Sequence, residues 1–273
     1  MTREKAAASE AQKAGMDGFA AYAGNPDFVL SLARGLRVIE SFEGRRKGQS
    51  IVEIAQSTSL SRAAIRRILL TLELLGYVER ARQVYHLKSP VLRLGFSYLS
   101  SSSLVEAAQP VLERITEAVH ESSSMSMLDG DEIVYVARSA ASRVLAAGLS
   151  VGSRLPAYCT SMGRVLLAAL PEPELETYLR RLRPRAFTPR TIVKIPGLRN
   201  ELARVRRQGY AIVNEELEAG LRSVAVPVYT RGNQVIAAIN VGTHVVRVDR
   251  KTLINVCLPA LQHGARELRE ILW

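Results

Sequence analysis

The sequence predicts an α+β protein in which an N-terminal winged helix-turn-helix precedes a larger domain with a central antiparallel sheet. Within residues 25–88, segments with apolar residues at helical spacing are followed by a short hairpin-like pattern. After residue 103, strand-like runs separated by tight turns lie between helical segments. Helices packed against an antiparallel sheet of about five or six strands form the α+β class. A length of 273 residues suits two domains.

Composition limits the class of protein. Hydrophobic residues make up 47% of the chain, which is enough for a packed core. No run approaches the roughly 18 apolar residues of a membrane span, and the polar, Ala-rich residues 1–24 are typical of a disordered tail rather than a signal peptide. Cys159 and Cys257 are too few and too far apart for a disulfide framework or a metal knuckle. The cytoplasm is the default location.

Positive charge is concentrated near the N-terminus. The chain has a net charge of +11. Residues 25–88 carry 11 Lys and Arg against 6 Asp and Glu, whereas residues 89–273 carry 23 against 17. The excess per residue is therefore about twice as high in the shorter segment, as in a nucleic-acid-binding module.

The first predicted helix spans residues 28–42. Leu32, Leu36 and Ile39 fall on one stripe, which we expect to face the core. The basic turn GRRKG at residues 44–48 follows, and its cations suit contacts to DNA phosphates, which position a protein without specifying sequence.

A helix-turn-helix and a wing are predicted next. Ser50 and Glu53 form a capping-box pattern before a short helix, and Ser61 can cap a third helix that stops at Gly76. Two short helices joined by a tight turn predict a helix-turn-helix. Apolar pairs on both sides of a charged turn in residues 77–87 predict a small β-hairpin, the wing.

The stretch LSRAAIRRILLTLELLGYV, residues 60–78, has one apolar stripe and arginines in its first two helical turns. A surface helix with solvated charges would show the same pattern. In a DNA major groove, arginine would bind guanine edges and alanine would contact a thymine methyl group. The wing and the local charge favour DNA. The predicted contacts to bases, phosphates or the minor groove are Arg45, Arg46, Lys47, Ser61, Arg62, Ala63, Arg66, Arg67, Arg80 and Arg82.

Residues 89–103 are predicted as a linker helix, and residues 104–273 as the second domain. In that domain, the sequence DGD at residues 129–131 predicts a hairpin turn between two strands. The remaining predicted elements are an extended stretch at 143–157, helices at 104–120, 161–170, 173–182 and 196–208, a strand at 210–216, two strands around RGNQ, and a last helix capped by Asp249.

One motif of the second domain combines polar residues with a helix start. RLPAYCTSMGRVLLAAL, residues 154–170, places Tyr158, Cys159, Thr160 and Ser161 where a helix begins. Free N–H groups at a helix start favour an anion, so a ligand carboxylate there would meet hydroxyls and amides together. A capped helix that packs on a sheet would have the same pattern, and spacing alone does not decide between these interpretations.

A second motif, NEELEAGLRSVAVPV at residues 214–228, places Arg222 among apolar residues and close to three glutamates. Arg222 would either bridge a glutamate or hold an acidic ligand directly. Asn240 and Thr243, near the end of the following strand, could supply further hydrogen bonds.

These motifs together resemble the IclR family of bacterial transcription regulators. The winged helix-turn-helix, RLPAYCTSMGRVLLA, GLRSVAVPV and AAINVGT occur in the family's order, and the resemblance covers about residues 27–273. LSRAAIRRILLTLELLGYV and LSVGSRLPAYCTSMGRVLLA are most similar to the branch that controls protocatechuate (β-ketoadipate) and 4-hydroxybenzoate catabolism.

The resemblance implies partners and a site. The second domain would be a GAF-like effector-binding domain for a small organic acid, and the first would bind double-stranded operator DNA. A homo-oligomer is implied, as a dimer through the DNA-binding domain or a tetramer through the effector domains. RNA polymerase would be a partner if the protein is an activator. No cofactor, metal or membrane association is expected. The effector-binding residues that the resemblance implies are Val144, Ala147, Ser161, Met162, Asn214, Ser223, Asn240 and Gly242. The two motifs above add Tyr158, Cys159, Thr160 and Arg222.

The identity of the acid stays open. Some relatives that bind short aliphatic acids have Gly-Ala where this chain has Ser161-Met162, and Cys where it has Ser223, so their ligands do not transfer directly. A regulator of another carbon pathway that responds to a short aliphatic acid is the alternative to an aromatic-acid regulator.

Two other classes of protein are less consistent with the sequence. An enzyme that used Cys159 or Ser161 as a nucleophile would need a histidine base and an acidic orienting group. The motif HExxH is absent, and the 4 histidines have no motif spacing. A structural nucleoid protein or RNA-binding protein would not need a large second domain with these motifs. We therefore expect a regulator and not an enzyme.

Overall fold

The computed structural model describes residues 19–22, 24–45, 47–141 and 149–271. The chain divides into two compact units, Met1–Ser97 and Tyr98–Trp273. The boundary between them lies within the segment predicted as a linker, residues 89–103. Among the residues described, no helix has the length and apolar character needed to cross a membrane.

The first unit contains three helices and a two-stranded hairpin. Its elements are α1 (Leu30–Glu40), α2 (Ile51–Thr58), α3 (Arg62–Leu74), β1 (Val78–Ala81) and β2 (Val84–Leu87), and the next helix, α4 (Leu92–Ser101), begins in this unit and ends in the second. The two strands are antiparallel, with Ala81 opposite Val84. Arg82 adopts a left-handed conformation in the turn between them, with φ of 58°.

Side-chain caps start both helices of the helix-turn-helix. The Ser50 hydroxyl accepts from the Glu53 N–H at 3.3 Å, and the Glu53 carboxylate accepts from the Ser50 N–H at 2.7 Å. This reciprocal capping box confirms the prediction. The Ser61 hydroxyl accepts from the Ala64 N–H at 3.2 Å. Ser59, with φ of 59°, turns the chain between the two helices.

The core of this unit corrects one predicted helix face. Val38 and Phe42 of the first helical segment pack with Ile54 and Ile65 in the core. Leu32 and Leu36, which were expected to face the core, are instead 61% and 46% exposed. The inward face of the helix is centred on Val38, and Ile39 packs against the same core, so the prediction was wrong for the two leucines and right for Ile39.

The second unit is a six-stranded antiparallel sheet with helices on both faces. Its strands lie in the order β5-β4-β3-β8-β7-β6. The strands are β3 (Ser122–Asp129), β4 (Glu132–Ser139), β5 (Arg154–Pro156), β6 (Ala211–Asn214), β7 (Leu221–Tyr229) and β8 (Val235–His244). The helices are α5 (Ser103–Val119), α6 (Ser161–Ala169), α7 (Glu172–Arg181), α8 (Ile195–Gln208), α9 (Arg250–Thr252) and α10 (Leu258–Ile271), with a π-helical turn at Leu253–Cys257.

Strand alternation assigns neighbouring residues to opposite faces of the sheet. Val224 and Ile239 pack with α5 and α10 on one face. Ala225 and Ala238 pack with α6, α7 and α8 on the other. The second face also holds the polar residues considered below. This arrangement of helices on an antiparallel sheet confirms the predicted α+β class.

Candidate functional site

The exposed face of α3 carries the residues predicted to read DNA. Ile65 and Leu69 are fully buried, whereas Arg62, Ala63 and Arg66 are exposed. The burial of every third or fourth residue thus leaves two arginines in the first two turns facing solvent. Among the residues described, neither arginine forms an ion pair, so both guanidinium groups are available for an external anion.

Other predicted DNA contacts are also on the surface. Arg45 and Lys47 are exposed in the turn before α2, while Arg46 lies outside the described residues. Arg67 is exposed beside α1. Gly48 fixes this turn, because it has φ of 73° and a Cβ there would lie 2.6 Å from the Tyr85 carbonyl oxygen.

The Arg80 side chain of the wing is held by the backbone of Arg82. Arg80 and Arg82 are both exposed, and the Arg80 Nε donates to the Arg82 carbonyl at 3.0 Å. The Arg80 guanidinium also lies 6.0 Å from the centre of the Tyr85 ring. The hairpin therefore presents two exposed cations, and contacts fix the guanidinium of Arg80.

The second unit contains a cavity of about 430 Å³ between α6 and the sheet. This volume falls in the range of small-molecule sites. Seven of the twelve predicted effector-site residues line the cavity: Cys159, Thr160, Ser161, Met162, Ser223, Asn240 and Gly242. Val144 and Ala147 lie outside the described residues.

Close packing fixes the start of α6. A Cβ on Gly163 would lie 2.2 Å from the Ala157 carbonyl oxygen, so only glycine allows this approach. The Thr160 hydroxyl caps the helix by accepting from the Gly163 N–H at 3.3 Å. Ser161 and Met162 then project from the first turn of α6 toward the sheet, where the Ser126 hydroxyl donates to the Met162 sulfur at 3.2 Å.

Two buried oxygen atoms at the cavity lack a hydrogen-bond partner among the described residues. They are the Ser161 Oγ and the Asn240 Oδ1, on residues that are 1% and 8% exposed. An unsatisfied buried polar atom costs roughly 1–3 kcal/mol. A ligand hydroxyl or a water molecule in the cavity would remove this cost.

Sequence reasoning missed the cation of the cavity, Arg138. It lies opposite Ser124 in the pairing of β3 with β4, and its Nη1 donates to the Ser124 hydroxyl at 3.2 Å. Arg138 has no acidic partner among the described residues, so it can bind a ligand carboxylate. Asn240 lies opposite the same serine on the other side of β3.

A β-bulge brings Tyr135 to the same face as Arg138. The register of β3 with β4 shifts between Met125 and Ser126, so Ser124 pairs with Arg138 but Ser126 pairs with Tyr135. Residues three apart would otherwise lie on opposite faces. Burial raises the pKa of Tyr135 to about 12, so its hydroxyl is a neutral donor at neutral pH.

An ion pair lies at another part of the cavity lining. The Arg247 guanidinium binds both carboxylate oxygens of Glu121, each at 2.9 Å. His244 and Glu218 also line the cavity. The net contribution of Arg247 to an anionic ligand is therefore smaller than that of Arg138.

The structure excludes three predicted residues from the lining. Ser223 faces the cavity, so alternation turns Arg222 to the opposite face, where it donates to the Asn214 side chain at 2.6 Å and to the Val248 carbonyl at 3.0 Å. Asn214 pairs with Arg222 and shares that face. The Tyr158 hydroxyl instead binds the backbone of Arg185.

A buried ion pair connects α6 to the loop that lines the cavity. Arg164, 1% exposed, binds both carboxylate oxygens of Glu216 at 2.7 and 2.5 Å, and its Nε donates to the Tyr158 carbonyl at 2.9 Å. The Glu216 carboxylate also accepts from the Ile192 N–H at 3.1 Å. Leu217 of the same loop lines the cavity.

The geometry does not support nucleophilic catalysis by Cys159 or Ser161. Burial raises the pKa of the Cys159 thiol to about 12, so it is protonated at neutral pH. Its sulfur lies 3.8 Å from the Pro156 carbonyl oxygen, and no base contacts the Ser161 hydroxyl among the residues described. Over the same residues, no cluster of three or more His, Cys, Asp or Glu could hold a metal ion.

Family models cover both units. The model described as the IclR helix-turn-helix domain matches residues 31–82, and the model described as the bacterial transcriptional regulator IclR C-terminal matches residues 96–270. The chain belongs to the IclR family of bacterial transcriptional regulators. This membership confirms the family that the motifs indicated.

Two relatives and one solved structure show which members of the family this chain is similar to. The chain is 49% identical over 249 residues to the Pca regulon regulatory protein of Pseudomonas putida, covering 91% of this chain and 86% of that protein. It is 37% identical over 250 residues to the Pca operon regulatory protein of Acinetobacter baylyi, covering 90% of each. A crystal structure of an IclR homolog complexed with 4-hydroxybenzoate, from Microbacterium hydrocarbonoxydans, matches with a TM-score of 0.74 at 26% identity, covering 89% of this chain and 98% of that one.

Proposed function

We propose that this IclR-family regulator controls genes of aromatic-acid catabolism in the protocatechuate and β-ketoadipate group, in response to an aromatic acid bound in the 430 Å³ cavity. Residues 25–88 would bind operator DNA, residues 89–103 would link the domains, and residues 104–273 would bind the effector. The observation that carries the proposal is Arg138, which has no acidic partner among the described residues and lines the same cavity as two unsatisfied buried oxygens. The Pca relatives support the pathway.

The cavity suits an aromatic hydroxy acid. The carboxylate would bind Arg138, in a charge-assisted hydrogen bond. The ring would lie against Met162 and Tyr135, and a ring hydroxyl would donate to the Ser161 Oγ or the Asn240 Oδ1. A ligand of this kind has an anionic end for Arg138, an apolar ring for Met162 and Tyr135, and a hydroxyl donor for Ser161 or Asn240.

On DNA, Arg62 and Arg66 would contact base edges, with Ala63 against a thymine methyl group. Arg45, Arg46, Lys47, Ser61 and Arg67 would contact phosphates around the same groove, and Arg80 and Arg82 would approach the backbone or the minor groove from the wing. The exposed, unpaired guanidinium groups of α3 support this assignment.

A homodimer through the first unit completes the proposal. Leu32 and Leu36 of α1, Leu75 after α3 and Leu94 of α4 line an exposed apolar groove of about 630 Å³. A surface of this kind is typical of an interface, and a second copy of the chain is the occupant that would pair two DNA-reading helices. A tetramer through the second unit, and RNA polymerase as a partner of an activator, belong to the same proposal, as does a cytoplasmic location.

Calorimetric titration of the full chain with protocatechuate, 4-hydroxybenzoate, β-ketoadipate, pyruvate and glyoxylate tests the effector. We expect saturable binding of one aromatic acid. Arg138→Gln should weaken it by about 1.5–3 kcal/mol, or roughly 10- to 150-fold. Arg222→Gln is the matched control, because Arg222 lies on the opposite face of the sheet and its loss should leave the affinity unchanged. Binding of pyruvate or glyoxylate alone would replace the aromatic acid with a short aliphatic one.

A further inference from the structure

The second unit has its own concentration of positive charge, distinct from that of the DNA-reading helix. Residues 180–194, RRLRPRAFTPRTIVK, contain six Lys and Arg and no Asp or Glu. The rest of residues 89–273 contains 17 Lys and Arg and 17 Asp and Glu. The whole positive excess of this half of the chain therefore lies in fifteen consecutive residues, which we name the basic segment.

The cations of the basic segment point to solvent. Arg180, Arg183, Arg185 and Lys194 are exposed, and none of them forms an ion pair among the residues described. The other two, Arg181 and Arg190, pair with Asp131 and Glu215. Three arginines of α8, by contrast, have acidic partners: Arg199, Arg204 and Arg206.

Buried hydrogen bonds hold the backbone of the basic segment in one conformation. The Tyr158 hydroxyl donates to the Arg185 carbonyl at 2.6 Å and accepts from the Arg185 N–H at 2.9 Å. Thr188 and Thr191 donate to the carbonyls of Glu215 and Glu216 at 2.6 and 2.5 Å. The irregular chain between α7 and α8 is thus a fixed platform, which lowers the entropy lost when its cations bind an anion.

We propose that the basic segment is a second DNA-contacting surface, which binds backbone phosphates of duplex outside the bases read by α3. Four exposed cations without an acidic partner among the described residues suit a polyanion. Protein–DNA interfaces are much more positively charged than protein–protein interfaces. Arginine also forms the paired hydrogen bonds that phosphates accept. The inference rests on the family's DNA binding, and it adds a contact that gives affinity without sequence preference.

Salt dependence of DNA binding tests this surface. The variant Arg180→Gln/Arg185→Gln/Lys194→Gln removes three charges but keeps Arg183, whose Nη1 also binds the carbonyls at the end of α7. The matched control, Arg250→Gln/Lys251→Gln/Arg266→Gln, removes three exposed charges from α9 and α10. Since α10 packs on the opposite face of the sheet, the control leaves the basic segment intact.

The full-length proteins are titrated with a random duplex, and with an operator duplex that has or lacks about 20 flanking base pairs on each side. Each lost phosphate contact should reduce the slope of log K against log salt by about 0.9, and three contacts by about 2.7. The difference in affinity between natural and variant protein should then shrink about 40-fold from 50 to 200 mM salt. The control should match the natural protein.

Equal slopes for the variant and the natural protein on flanked and random DNA would overturn the proposal. If transcription were still lost in that variant, the surface would belong to an acidic protein partner instead. The acid response on the unflanked operator measures the proposed function separately, because none of the three substituted residues lines the effector cavity. Thermal melting of each variant checks that it folds.

Discussion

The buried pair of Arg164 and Glu216 gives a prediction whose size follows from burial. Arg164 is 1% exposed and Glu216 is 7% exposed. Arg164→Met would leave the Glu216 carboxylate buried, with only the Ile192 N–H and no cation. Breaking a buried pair in this way costs about 3–5 kcal/mol. For a unit of this size, about 2–4 °C is lost per kcal/mol, so the melting temperature should fall by about 6–20 °C.

A double variant separates the lost charge pair from lost packing. Arg164→Met/Glu216→Gln has no charge at these positions and keeps an oxygen to accept from the Ile192 N–H, while Glu201, 3.7 Å from Arg164, keeps Arg204 as its partner. It should regain most of the stability, so the coupling between the two substitutions should exceed about 1 kcal/mol. Urea unfolding of the natural protein, Arg164→Met, Glu216→Gln and the double variant measures this coupling. The half-exposed pair of Arg199 and Glu176 is the control, and Arg199→Met should cost at most about 1 kcal/mol.

The same cycle has a functional readout. Leu217, Glu218 and Ala219 line the cavity and follow Glu216 directly. Release of this loop should therefore weaken acid binding in Arg164→Met, while the double variant regains part of the affinity. A loss of stability below about 1 kcal/mol, or a double variant no more stable than Arg164→Met, would refute the claim that this pair is a buried charge-compensated contact.

Three further predictions concern other parts of the molecule. Arg62→Ala should reduce the preference for operator over random DNA by about 1–3 kcal/mol in competition binding, and an equal loss on both would contradict base reading. Ser161→Leu should fill the cavity and abolish the acid response in a reporter assay without loss of operator binding; an unchanged response would place the effector elsewhere. The capping hydrogen bonds from Ser50 hold the pKa of Glu53 below its ordinary value. Its stabilisation is therefore present above that ordinary value, near pH 4.5, and disappears as the pH falls through the lowered pKa, so melting curves of Glu53→Gln and the natural protein should converge in acid.

Local signals in the sequence were sufficient for the elements of the first unit. The Ser50 capping box, the Ser61 cap and the hairpin at residues 78–87 depend on residues close in sequence, and the structure has all three. The face of α1 could not be predicted in the same way. Leu32 and Leu36 form an apolar stripe whether it packs inside one chain or against a second copy.

Two errors in the predicted cavity lining, at Arg222 and Arg138, have different physical causes. Alternation along β7 already places Arg222 and Ser223 on opposite faces, so predicting both in one site was inconsistent with a strand. Arg138 was missed for another reason. Its position beside Tyr135 depends on the bulge in β3 and β4, and Arg138 reaches Ser124 only through the pairing of two strands. A one-residue irregularity in register has no signature in residue types alone.

Reciprocal coupling between acid and operator tests the central claim most directly. The affinity of the full chain for protocatechuate and 4-hydroxybenzoate is measured by calorimetry with and without saturating operator duplex. If the acid changes the affinity of the protein for operator, the operator must change its affinity for the acid by the same factor. This coupling is typically about 1–3 kcal/mol, or roughly 5- to 150-fold. We predict a change of this size in the dissociation constant of one of these acids. Identical constants with and without operator would contradict the account.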